Sequence, residues 1–192
     1  MVFQIIAVVI LLLFYGCYFL KTMAQQRKGI QTDQIGQGKV GFVRFVEITM
    51  KVAAVLVFVM GLASIHAGQS LTPTAVRVIG AVVSALGTAV FIAAVLTMRD
   101  NWRAGVSTTD KTELVTSGIY QISRNPAFLG FDLLYIGMLL MFFNWVLFAA
   151  TVFAVLMYHL QIVNVEEDFL LETFGDSYLA YRKKVCRYLG RK

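Results

Sequence analysis

The chain has 192 residues, 58% of them hydrophobic and 15% charged, with a mean hydropathy of +0.73. A composition this poor in charge cannot face water all round, which excludes a soluble globule. The net charge of +6, from 17 Lys and Arg against 11 Asp and Glu, arises beside long apolar runs, so anionic lipid headgroups are the expected partner and nucleic acid is not.

A bilayer core about 30 Å thick needs roughly 20 apolar residues in helix. Val2 to Leu20 carries no charge and reads as the first span. A cleavable signal peptide is not expected there, because its positive charges (Lys21, Arg27, Lys28) follow the apolar stretch rather than precede it. Ile48 to Ile65 reads as a second span, with Lys51 near its start snorkelling toward the headgroups. Val78 to Met98 is a third, again without charge. From Arg124 to Glu166 the one intervening charge is Asp132, and as a single straight helix this stretch would be about 60 Å long, enough for two crossings. The break is placed at Phe143-Asn144-Trp145, where an amide favours a turn and a Trp anchors at an interface.

Five spans follow, and the expected fold is an all-α integral membrane bundle with a cytosolic pocket. Every Lys and Arg except Arg77 lies in or beside the segments after spans one, three and five. The positive-inside rule then puts the N-terminus outside and the C-terminus in the cytoplasm, with Gly68 outside and Lys111 inside. A bacterial or archaeal cytoplasmic membrane is the expected location. Residues 1–192 form one domain, with three spans in 1–98 and the chemistry-bearing half in 99–192.

Residues 99–126 mix aromatic, Gly, Ser/Thr and charged residues and are expected to fold. Asn125 suits an N-cap and Pro126 the first helical position, which holds Arg124 at the membrane surface, where it can meet a headgroup. In YHLQIVNVEEDFLL, His159 and Glu166 are seven apart and share the face of a regular helix. Ionisable groups at such depth usually face an interior or a cavity, which makes His159 and Asp132 candidate pocket residues. The alternatives are an interhelical hydrogen bond for His159 and headgroup contact for Asp132. From Asp176 to Leu189, Tyr178, Tyr181, Val185 and Tyr188 recur at helical spacing among basic residues, describing an amphipathic helix lying on the membrane. No Gly-rich phosphate loop, Walker loop, HExxH or nucleophile elbow occurs. With two separate histidines and two separate cysteines, neither a metal site nor a disulfide framework is expected.

The segments TELVTSGIYQISRNPAFLG and VEEDFLLETFGDSYLAYRKKVCRYL, separated by two spans, resemble the isoprenylcysteine carboxyl methyltransferase and phospholipid methyltransferase group of integral membrane enzymes. That group's pattern is LVxxGxY, RHPxYxG, a helical hairpin, and EExxLxxxFGxxYxxY. The resemblance covers residues 99–189 and implies S-adenosylmethionine-dependent methyl transfer to a lipid or lipophilic small molecule entering laterally between spans. It implies cofactor contacts at Thr112, Glu113, Leu114, Val115, Tyr120, Asn125, Pro126, Ala127, Phe128 and Glu166. On this reading Glu166 pairs with the cofactor's ammonium and Arg124 offers its carboxylate a bidentate partner.

An ammonium or thiol acceptor must lose a proton before transfer, and His159 is the candidate base. Two departures stand out: RHPxY is RNPAF here, and Ile162 occupies the position at which the prenylcysteine enzymes carry an Arg for the substrate carboxylate. The second argues against a prenylcysteine carboxyl as the acceptor. Alternatives in other classes are a phospholipid amine N-methyltransferase, an NADPH-dependent sterol-reductase-like enzyme, and a non-catalytic membrane scaffold.

Overall fold

The computed structural model describes residues 1–106 and 112–192; Lys111, the inner topology marker, lies outside them. Six helices follow in chain order: α1 (Val2–Gln26), α2 (Gly41–Ala67), α3 (Thr74–Met98), α4 (Pro126–Met141), α5 (Trp145–Gln161) and α6 (Glu167–Lys184). No strand occurs among the described residues. The architecture is the expected membrane helical bundle. Helices α1, α2, α3 and the long α5–α6 unit are each long and apolar enough to cross a bilayer. The fifth apolar helix, α4, has 16 residues, or about 24 Å of rise, less than the hydrocarbon core. It is the most protected helix of the set, with Leu134, Tyr135, Met138 and Met141 all buried.

The turn between α4 and α5 falls where the amide and aromatic residues place it. Asn144 caps α5, its Oδ1 accepting from the Leu147 N–H at 2.9 Å, while its Nδ2 donates to Ser64 Oγ at 2.8 Å. Helix α2 ends at Gly68, whose φ of +66° is the left-handed conformation that closes a helix without a Cβ penalty.

Helices α3 and α4 meet through small residues. Gly80, Ser84 and Gly87 on α3 face Gly130 and Gly137 on α4 so closely that a Cβ on Gly137 would lie 2.2 Å from Ser84 Oγ and 2.5 Å from the Gly80 carbonyl. Without a hydrophobic drive between helices in lipid, such backbone proximity is what holds a pair together. Helices α1 and α2, by contrast, hardly touch. Their polar ends are joined by the 27–40 connection, which docks on the segment after α3. Gln34 N–H donates to the Ala104 carbonyl at 2.8 Å, Ala104 N–H to Thr32 at 2.9 Å, and Gln25 Nε2 to Trp102 at 2.9 Å.

Between α5 and α6 the chain makes one π turn, Ile162–Glu166, and α6 is itself kinked at Gly175 (φ +49°, ψ −123°). The tail differs from the expected surface helix. Helix α6 stops at Lys184, Val185 is extended, and residues 185–192 fold back: Cys186 N–H donates to Gly190 and Gly190 N–H to Ile122. Tyr178, Tyr181 and Val185 are buried against Ala94 and Tyr120 rather than in lipid. The tyrosine stripe is therefore protein core, because the tail packs on the 118–125 turn before it can reach a bilayer.

Candidate functional site

One cavity of about 500 Å³ opens inside the bundle, and ten of the twelve residues named from the sequence line it. Thr112, Glu113, Leu114 and Val115 form an extended rim, pinned where Glu113 N–H donates to Asn101 Oδ1 at 3.1 Å. Gly118 opens a short 3-10 turn at φ +56°, with Thr97 pressed 3.0 Å from where a Cβ would stand, and this turn delivers Tyr120 to the wall. Arg124, Asn125, Ala127 and Phe128 follow at the start of α4, and Glu166 enters from the π turn. Pro126 and His159 do not line the cavity.

His159 instead faces outward, with Nδ1 2.6 Å from the Tyr188 hydroxyl. The shared face expected for His159 and Glu166 does not form, because the π turn between them widens the helix by about a residue and breaks the 3.6 periodicity. Asp132 is buried and does not line the cavity; its Oδ1 has no partner among the described residues. Protein encloses its side chain, which leaves it closed to contact from outside the bundle.

Arg124 is enclosed by protein rather than open to a headgroup. Buried at 7% exposure, it donates through Nη1 to the Tyr178 hydroxyl at 2.7 Å and pairs through Nη2 with Glu167 Oε1 at 3.0 Å. Glu167 also takes a two-point contact from Arg187, at 2.8 and 3.1 Å, and donating to this carboxylate holds the Arg187 guanidinium above its ordinary pKa range. The fork expected to receive a cofactor carboxylate is thus already engaged, and Arg124 and Arg187 together lock the tail onto the cavity. Asn125 occupies the cap position of α4, but its side chain makes no cap bond; its Nδ2 donates to the Arg187 carbonyl at 3.1 Å.

The two consecutive glutamates of α5–α6 serve different surroundings. Glu167 sits among three arginines, with Arg182 at 3.9 Å. Glu166 lines the cavity, and its one side-chain partner among the described residues is the Gln161 amide at 3.3 Å. Gln161 is fully buried and reaches a second carboxylate, Glu47 of α2, at 3.5 Å; Glu47 is neutralised by Lys39 and also accepts from the Gly36 N–H. The π turn brings Gln161, not Ile162, beside Glu166. Ile162 is fully buried and lines no part of the cavity.

The remaining wall was not legible in the motifs. Tyr15, Tyr18 and Phe19 of α1, Met50, Ala54 and Phe58 of α2, and Trp102 supply much of it. Aromatic residues spaced along a hydropathic span look like ordinary core, so no pattern distinguished them. Among the described residues no group of three or more His, Cys, Asp or Glu side chains is placed to hold a metal ion.

Comparison with known proteins points to one family. A family model described as phospholipid methyltransferase matches residues 75–177. The chain is 38% identical over 74 residues to a protein-S-isoprenylcysteine O-methyltransferase of Schizosaccharomyces pombe, covering 38% of this chain and 30% of that protein. It is 31% identical over 114 residues to the Xenopus laevis protein of the same name, covering 58% of this chain and 40% of that one. The matched segment is therefore well under half the length of each of these relatives.

Proposed function

Since the chain belongs to the phospholipid methyltransferase family, we propose that it is a membrane methyltransferase using S-adenosylmethionine and acting on a lipid or lipophilic small molecule. The observation that carries this reading is Glu166: a carboxylate on the cavity wall with an amide neighbour and no cation paired to it among the described residues. A carboxylate so placed is costly unless a cation arrives with the ligand.

The residues present fit the cofactor. Leu114, Val115, Tyr120 and Phe128 give an adenine ring apolar and aromatic walls, while Glu166 meets the ammonium. Thr112, Glu113, Asn125 and Ala127 border the same space. When bound, S-adenosylmethionine supplies a methyl group on a cationic sulfur whose leaving group departs neutral, so alignment and exclusion of water are the main demands. Arg124 on the cavity wall is fixed by Glu167, which Arg187 also holds, and the aromatic lining is of the kind that excludes water.

The acceptor enters where α1 and α2 part, past exposed Phe19 and Val55, both of which line the cavity. A free carboxylate acceptor is disfavoured. Ile162 offers no charge, and Arg187, the tail residue able to compensate, is tied to Glu167. The positive-inside rule supports a topology with the 27–40 and 99–125 segments in the cytoplasm and the N-terminus outside. Single cysteines at Gly68 and Glu113 should therefore label from opposite sides of the membrane.

Equilibrium binding of labelled S-adenosylmethionine to the purified protein tests the central claim, with NADPH as the comparison ligand. Saturable binding weakened roughly 10- to 100-fold by Glu166→Gln is expected for loss of a charge-assisted contact. An unchanged affinity would remove Glu166 from the site, and preference for NADPH would move the chain to a reductase reading.

A further inference from the structure

The deep end of the cavity carries a polar feature that methyl-donor binding does not use. The hydroxyls of Tyr15 (α1), Tyr135 (α4) and Tyr158 (α5) form a chain, with O···O distances of 3.3 Å for Tyr15 to Tyr135 and 3.3 Å for Tyr135 to Tyr158. All three line the cavity. Their surroundings are aromatic: Phe58 packs edge-on to Tyr15 at 4.8 Å, and Phe131 and Phe128 lie 5.5 and 5.6 Å from the Tyr158 ring.

Three hydroxyls carry three donor hydrogens, and a chain with two contacts uses two of them. One O–H therefore has no acceptor within the chain, and no other hydrogen bond to these hydroxyls occurs among the described residues. A spare donor in an apolar, water-poor pocket is satisfied most readily by an oxygen brought in by a ligand.

We propose that the Tyr15–Tyr135–Tyr158 hydroxyls read a hydrogen-bond-accepting oxygen at the buried end of the acceptor molecule. The substrate class is then an oxygen-bearing lipophile, such as one with a carbonyl or ring oxygen set in an apolar body. A plain prenyl or acyl tail ends in a methyl group and would leave the spare O–H unmet. The proposal rests on the reading of this cavity as the acceptor site.

A matched pair of probes of one shape tests it: 2-methylnaphthalene, which has no oxygen, and 2-methyl-1,4-naphthoquinone, which has two carbonyls. Binding is read as saturable quenching of Trp102, which lines the same cavity, with exposed Trp145 replaced by Phe in every sample and after correction for partition into detergent. The wild-type protein should favour the quinone by about tenfold, the ratio one hydrogen bond supports. In Tyr135→Phe/Tyr158→Phe the preference should fall to within about twofold, since the ring shapes are kept and two hydroxyls are lost. Equal affinities in the wild type, no saturable quenching by either probe, or a preference that survives the double substitution overturns the proposal. S-adenosylmethionine binding, measured on the same samples, should be unchanged by the tyrosine substitutions. Its absence from the wild type would count against the cofactor reading and leave the probe comparison intact.

Discussion

The two helix seams of this bundle are built on opposite principles. Between α3 and α4, glycines and Ser84 bring backbones into contact, and nothing larger than a hydrogen fits. Between α1 and α2 the helices stand apart, aromatic side chains line the gap, and the polar ends are held instead by the docked 27–40 loop and the Lys39–Glu47 and Lys51–Asp33 pairs. The closed seam carries stability, and the parted seam leaves room for a ligand while delegating its own cohesion to polar contacts at its two ends, the far one being the Gln4 Nε2 bond to the Ile65 carbonyl at 2.7 Å.

The sharpest way to break this contrast is to place the same side chain in the closed seam and on α1, a helix of the parted pair. Gly137→Leu must push α3 and α4 apart, because backbone atoms and Ser84 occupy the space. It should cost about 3 kcal/mol or more, with loss of monodisperse protein on size exclusion. Gly16→Leu on α1, where nothing lies within 4 Å of the new Cβ, should shift thermal stability by no more than about 0.5 kcal/mol. Equal damage at the two sites would show that the seams do not differ as described.

Glu47→Ala tests the polar cohesion of the parted seam. It leaves Lys39 buried without its partner, which should destabilise the protein by about 3–5 kcal/mol in thermal or denaturant unfolding. Gln161→Leu is gentler. It removes the amide shared by Glu47 and Glu166 while keeping bulk, and should weaken S-adenosylmethionine binding by about fivefold, with little change in unfolding. Smallest of all is His159→Ala. Since His159 faces away from the cavity and bonds Tyr188, turnover of any acceptor found should stay within about twofold of wild type. A drop of several orders would restore His159 as a base.

Charge-free runs and the Asn144 turn were legible in the sequence because lipid leaves few options: a segment without charges crosses, and an amide with a Trp marks where it turns. The motif residues at 112–128 and Glu166 follow from likeness, and all of them except Pro126 share a wall. Three things escaped. The α3–α4 seam depends on which glycines face each other, and spacing alone did not announce a partner. His159 was misplaced because face-sharing assumes an unbroken 3.6 period, and a π turn leaves no clear mark in composition. The tail stripe of Tyr178, Tyr181 and Val185 has the periodicity of a surface helix, yet a helix cannot know from its own pattern whether lipid or protein will cover it.

The π turn at Ile162–Glu166 makes this stretch sensitive to length rather than to composition. It sets the phase between everything before it and everything after it, so that Glu166 points one way and Glu167 another. The turn already absorbs one extra residue, so adding another would rotate α6 by about 100° relative to α5, carrying Glu167 away from Arg124 and Glu166 out of the cavity together. Conservative replacements at Val163 or Val165 leave that phase intact. For this segment, a single-residue insertion is therefore a more damaging change than almost any substitution.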